Sequence, residues 1–136
     1  MILADTSAWI EYDRATGSTV DMRVTELICN SGPLVVTEPV VMEILAGARS
    51  DRHESNLRRL LLRFDLLRFD ATLDFEGAAR HYRNCRLSGV TPLGVVDCMI
   101  ASVASRYGAS LLTSNADLVR IARVAKINLD EACSSR

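Results

Sequence analysis

Residues 1–13 read MILADTSAWIEYD. A short apolar run, residues 2–4, ends on a carboxylate, Asp5, and two hydroxyls, Thr6 and Ser7, before apolar residues resume at Trp9 and Ile10. Such a run without polar alternation predicts a strand buried on both faces, and the polar step after it predicts a helix starting at Ser7. The pattern returns twice. Leu34-Val35-Val36 ends on Thr37-Glu38, ahead of a helix that Pro39 opens, where proline's missing N–H costs nothing. Ser110-Leu111-Leu112 ends on Thr113-Ser114-Asn115, ahead of a last helix. Uniformly apolar strands alternating with helices predict an α/β fold with a mainly parallel sheet of four to five strands. Helices on both faces make it a three-layer α/β/α sandwich.

The remaining segments fill in this frame. Helical spacing of apolar residues predicts helices over 19 to about 29, 52 to about 64, 73–87 and 95–107, the last ended by Gly108 in the left-handed conformation. LLRFD occurs twice in succession, at 61–65 and 66–70, and the second copy reads as a third strand. Residues 127–129 suit an edge strand, and the tail from 133 is expected to fray. No linker or shift of composition divides the chain, so residues 1–136 are expected to form one domain.

Composition narrows the class. Apolar residues make up 49% of the 136, enough for a core without disulfide or metal staples. No apolar run nears the roughly 18 residues of a membrane span, and Asp5 interrupts the N-terminus too early for a signal peptide, which predicts a cytoplasmic protein. Four dispersed cysteines and two histidines form no zinc pattern, and the thiols read as reduced small hydrophobes. A net charge of −1 excludes a global basic field. The basic residues are nonetheless fifteen Arg and one Lys, Lys126. Arg58, Arg59, Arg63 and Arg68, then Arg80, Arg83 and Arg86, gather on helical faces that suit phosphate contact or a solvated surface.

The acids fall in unusual places. Ligands of an open parallel sheet bind beyond the carboxyl ends of its strands, where Asp5, Thr113 and Asn115 lie, with Asp117 just beyond. Glu43 sits in VVMEILAG and Asp97 in GVVDCMIASVA, each among apolar residues in the opening turns of a helix. Each acid alone reads as an N-cap or first-turn carboxylate. Together, from four elements that meet at one rim, they repel one another unless a cation holds them. An all-oxygen ligand set selects Mg²⁺ or Mn²⁺ over zinc. Such a site suits phosphodiester hydrolysis, with the Ser7, Thr113 and Thr6 hydroxyls available to hold the carboxylates in place.

In order, DTSAWI, PVVMEILAG, VVDCMIASVA and LLTSNADL resemble the PIN-domain nucleases, and more narrowly the VapC-type toxins of bacterial toxin–antitoxin pairs. The resemblance covers nearly the whole chain. It implies a PIN-like sandwich and a Mg²⁺- or Mn²⁺-dependent endoribonuclease that cuts tRNA or another structured RNA. Its acids map to Asp5, Glu43, Asp97 and the 115–117 region; the arginine-rich helical faces, read from this sequence alone, add Arg58, Arg59, Arg63, Arg83 and Arg86 as substrate-binding candidates. It further implies a homodimer held inactive by a small VapB-like antitoxin, with DNA engaged only through that antitoxin and no membrane partner. The family often places an acid where this chain has Asn115, so either Asn115 or Asp117 completes the metal site. Two other classes fit parts of the pattern: an aspartyl-phosphate phosphatase or receiver domain, and a non-catalytic module whose acidic pocket grips a basic partner segment.

Overall fold

The computed structural model describes residues 1–133. Four strands, β1 (Ile2–Ala4), β2 (Leu34–Val36), β3 (Asp65–Leu66) and β4 (Ser110–Leu112), form one sheet in the order β3-β2-β1-β4. Every pairing is parallel. Seven helices flank it: α1 (Thr6–Asp13), α2 (Thr19–Cys29), α3 (Glu38–Ala46), α4 (Asp51–Leu61), α5 (Ala71–Leu87), α6 (Val95–Tyr107) and α7 (Ala116–Ala125). β1 lies between β2 and β4, so both its edges are hydrogen-bonded, and Leu3 and Ala4 are fully buried.

Most elements fall where the residue pattern puts them, and the departures have local causes. The third strand is shorter and earlier than the second LLRFD copy: Asp65–Leu66 pairs with Val35 and Val36, straddling the junction of the two copies. Leu67 N–H still donates to the Val36 carbonyl at 2.7 Å. Beyond it Asp70 takes the N-cap of α5, accepting from the Thr72 and Leu73 amides, so the helix starts earlier than expected. The expected edge strand at 127–129 reduces to a single parallel bridge, Leu111 to Leu129. Cys133 is not frayed; it is buried in a 3-10 turn, Glu131–Cys133, while residues 134–136 lie outside the described residues.

α5 and α6 pack closely over the sheet. Gly77 makes this possible, because a Cβ there would stand 2.2 Å from the Ser102 hydroxyl. Beside that contact Asp74, fully buried on α5, is met from α6 by Ser102 Oγ at 2.8 Å and by two Arg106 nitrogens at 3.1 and 2.7 Å. Cys85, Cys98 and Cys133 are buried and Cys29 is exposed, all as free thiols. Among the described residues no helix is long and apolar enough to cross a membrane.

Candidate active site

The parallel register sets the geometry. Ile2 and Leu3 pair with Leu34 and Val35 on one side, and Ile2 to Ala4 with Ser110 to Leu112 on the other. Carried one residue beyond β1, this alignment brings Thr37, Asp5 and Thr113 to one level at the carboxyl ends of three adjacent strands. All three are buried. Thr37 Oγ1 is buried with no hydrogen-bond partner among the described residues.

Asp5 has two structural duties at once. It ends β1 and is the N-cap of α1, where its Oδ1 accepts from the Ala8 amide at 3.0 Å. Ser7 Oγ donates to the same oxygen at 2.7 Å, and Thr113 Oγ1 donates to Oδ2 at 2.6 Å. No cation pairs with it among the described residues. Burial pushes its carboxyl up from 3.8 to about 6, against the pull of these hydroxyl and amide donors, and Glu43 adds repulsion. A shift of that size disfavours the charged form by about 3 kcal/mol.

The other acids gather around it. Asp97, half-buried in the first turn of α6, is also raised to about 6, by burial first and then by Asp5, Glu43 and Asp117. Glu43, on α3, accepts a short hydrogen bond from Thr6 Oγ1. Asn115 is the N-cap of α7: its Oδ1 accepts from the Asp117 amide at 2.9 Å while its Nδ2 donates to Asp97 Oδ2 at 3.2 Å. Asp117 is buried, accepting from the Leu93 amide at 2.9 Å, with Arg120 at 3.5 Å from its other oxygen. In this arrangement Asn115 orients Asp97, and Asp117 holds the loop ahead of α6. The hydroxyls form a chain: Ser7 and Thr113 lie 3.1 Å apart, and the Ser114 and Asn115 amides donate to them at 3.0 and 2.9 Å.

Asp97 Oδ1 and Glu43 Oε2 accept no hydrogen bond from the described residues. These bare carboxylate oxygens, set among mutually repelling acids, fit a hard divalent cation. Soft or nitrogen ligands are not at hand. His53 Nε2 is engaged with Asp13 at 2.9 Å, and the nearby Cys98 thiol is pushed by burial to about 11 and stays protonated. Among the described residues no three acidic, histidine or cysteine groups form a ready-made metal cage.

Comparison with known proteins identifies the family and the fold. The family profile of the PIN domain matches residues 2–124. VapC ribonuclease Mb1587 of Mycobacterium bovis and Ribonuclease VapC11 of Mycobacterium tuberculosis are each 41% identical to the chain over 128 residues, covering 93% of it and 96% of the relative. The chain is a PIN-domain protein of the VapC family. Among solved structures, the DNA-bound VapBC of Salmonella typhimurium superposes with a TM-score of 0.75 at 22% identity, over 97% of this chain and 98% of that one. VapC20 of Mycobacterium tuberculosis, a sarcin–ricin loop cleaving toxin, gives 0.66 at 16% identity over 88% and 93%. In this VapC-family chain the two structural matches speak for the fold.

The arginines expected to meet substrate are less well placed. Arg58, Arg59, Arg63, Arg83 and Arg86 are all exposed, and Arg58 is paired with Glu54 at 2.9 Å. Arg63 lines a cavity with Gly32 and Leu34 at the amino ends of the strands, across the sheet from the acids. The cavities bordered by Arg58 and by Arg83 and Arg86 contain none of the four acids and none of the hydroxyls bonded to them. Lys126, the one lysine of the chain, is the C-cap of α7, at the end away from the rim. Residue patterning passes over Arg120 and Arg123, whose only sequence signal is a spacing of three after Asp117.

Proposed function

We propose that this chain is a divalent-cation-dependent endoribonuclease and the toxin of a VapBC-type pair. Its substrate is a structured RNA, tRNA or another folded target, cleaved by water attack on the phosphodiester. The observation that carries this reading is the convergence of four acids on one rim, with Asp5 and Asp97 both raised to about 6 and neither offset by an arginine among the described residues. Mg²⁺, or Mn²⁺ in its place, supplies Lewis-acid stabilisation of the charge that builds on the phosphate. Asp5, Asp97 and Glu43 are the residues to hold it. Thr113 and Ser7 fix both oxygens of Asp5, Thr6 fixes Glu43, and Asn115 fixes Asp97, so the carboxylates are pre-oriented before substrate arrives.

The partner in this reading is a VapB-like antitoxin, and any contact with DNA runs through it. A homodimer is part of the same reading. Phe75, Leu93 and Val95, 55%, 86% and 61% exposed, give the α5–α6 side an apolar surface suited to a second copy. The test is cleavage of bulk tRNA by purified protein with Mg²⁺ or Mn²⁺. The wild type is expected to cut, and Asp97→Ala is expected to fold and lose cutting. Undiminished cleavage by Asp97→Ala would remove the metal-site assignment.

A further inference from the structure

A rim carrying four acids repels a polyanion, so an RNA strand needs positive charge close to the point of cleavage. Arg120 and Arg123 supply it. Together with Ser18, Thr19, Thr113 and Ser114 they line a cavity of about 550 Å³ on the α7 side of the rim. Thr113 is shared: it is among the residues lining this cavity, and its hydroxyl donates to Asp5 at 2.6 Å. The cavity therefore opens one side chain away from the reacting centre. Arg120 and Arg123 are three residues apart on one helix, which places them on the same face. Both are exposed, and the Arg120 contact to Asp117, at 3.5 Å, is long and leaves most of its five donors available.

The opposite flank is built differently. The cavity beside Glu43 also has two arginines, Arg14 and Arg49, but measures about 100 Å³ and holds Asp13 paired to His53. Ligand sites commonly span about 300–1,000 Å³. The α7 cavity is in that range and the Glu43 one is below it.

We propose that the Arg120–Arg123 cavity is a phosphate-binding subsite for the RNA strand next to the scissile bond. This rests on the ribonuclease reading above and adds where the strand lies. The guanidinium groups grip backbone phosphates, and the Ser18, Thr19 and Ser114 hydroxyls supply neutral donors, so the subsite positions RNA without reading its bases. Arg120 and Arg123 are positioning residues.

The test separates binding from cleavage. Anisotropy of a labelled 20-nucleotide single-stranded RNA is measured in EDTA across a salt series, for wild type, Arg123→Ala, Arg120→Ala with Arg123→Ala, and Arg52→Ala as an exposed-charge control on α4. Each subsite substitution is expected to weaken binding about five- to tenfold. Each is also expected to flatten the slope of log affinity against log salt by about 0.7. With Mg²⁺ and bulk tRNA, KM rises by a similar factor while kcat stays within about twofold. Alanine favours the helix, and Arg123→Ala leaves the Asp117 contact intact, so a folded variant is available whatever Arg120 does for stability. Affinity and salt slope matching the Arg52→Ala control would overturn the subsite while the nuclease assignment stands. Wild-type protein that neither binds nor cleaves RNA would overturn both.

Discussion

Asp5 and Asp74 are both buried carboxylates, and their surroundings push them in opposite directions. Asp74 faces Arg106 and Ser102 between α5 and α6, and although burial opposes it, the Arg106 guanidinium with the Asp70 amide and Ser102 holds its carboxyl below the usual range. Among the described residues Asp5 receives two hydroxyls and one amide, no arginine, and it is raised to about 6. The difference is that Asp74 has its counter-charge in Arg106 and Asp5 has none among the described residues. A buried acid satisfied internally is a packing device. One that the fold orients but leaves without a counter-charge is free to take a cation from outside.

The largest effect expected from this contrast is at Asp5. Asp5→Asn should cut the rate of RNA cleavage by about 10³-fold, comparable to losing a principal electrostatic stabiliser. The denaturation midpoint should be unchanged or higher at neutral pH, because the substitution removes a charge that burial penalises. Asp74→Ala should do the reverse, losing about 2–4 kcal/mol in urea unfolding while activity per folded molecule is retained. If Asp5→Asn unfolds the protein, or Asp74→Ala abolishes cleavage in folded protein, the contrast fails.

The next effect is in pH, where the two acids have opposite signs. Between pH 4 and 6 the native state binds more protons at Asp5 and Asp97 than the unfolded chain does, so metal-free stability contributed by these groups falls as pH rises through that window. Asp74 contributes stability above about pH 4 that is lost as pH falls through its depressed native value. Cleavage needs Asp5 and Asp97 ionised, so its acid limb should lie near 6 at sub-saturating Mn²⁺ and move to lower pH as Mn²⁺ is raised. Mn²⁺ should raise the Tm of the wild type at pH 7 and not that of Asp5→Asn. A Tm that responds equally in both would place the cation elsewhere.

The smallest effect sharpens the role of the hydroxyl chain. Thr113→Val removes the 2.6 Å donor to Asp5, so Asp5 should titrate higher still. The acid limb of the pH–rate profile is expected to move up by as much as about one pH unit. At pH 7 the rate is expected to fall by up to about twofold, recovering at pH 8 or above and in Thr113→Ser. An unmoved limb with a uniformly lower rate would make Thr113 a packing residue.

Asp5, Glu43, Asp97 and Asp117 are legible as candidates because each sits at a strand end or in an opening helical turn, positions that local pattern reveals. The third strand is misplaced by pattern alone because two residues of β-pairing leave almost no periodic signal. Asn115 and Asp117 are not resolved by sequence, since their hydrogen bonds to Asp97 and the Leu93 amide cross 18 and 24 residues. Arg120 and Arg123 escape notice for a related reason. Their spacing is ordinary, and only the cavity wall shared with Thr113 gives it meaning.

By itself the sequence determined the order of strands and helices, the parallel sheet and the rim on which the acids gather, because apolar runs and helical periods are local properties of the chain. The tertiary structure decided which acid is neutralised by arginine and which is left to titrate near 6. It also decided which polar groups orient the site and which arginines stand beside it. Those outcomes depend on partners such as Thr113 and Asp5, 108 residues apart, whose meeting is fixed by strand register and not by anything either neighbourhood encodes.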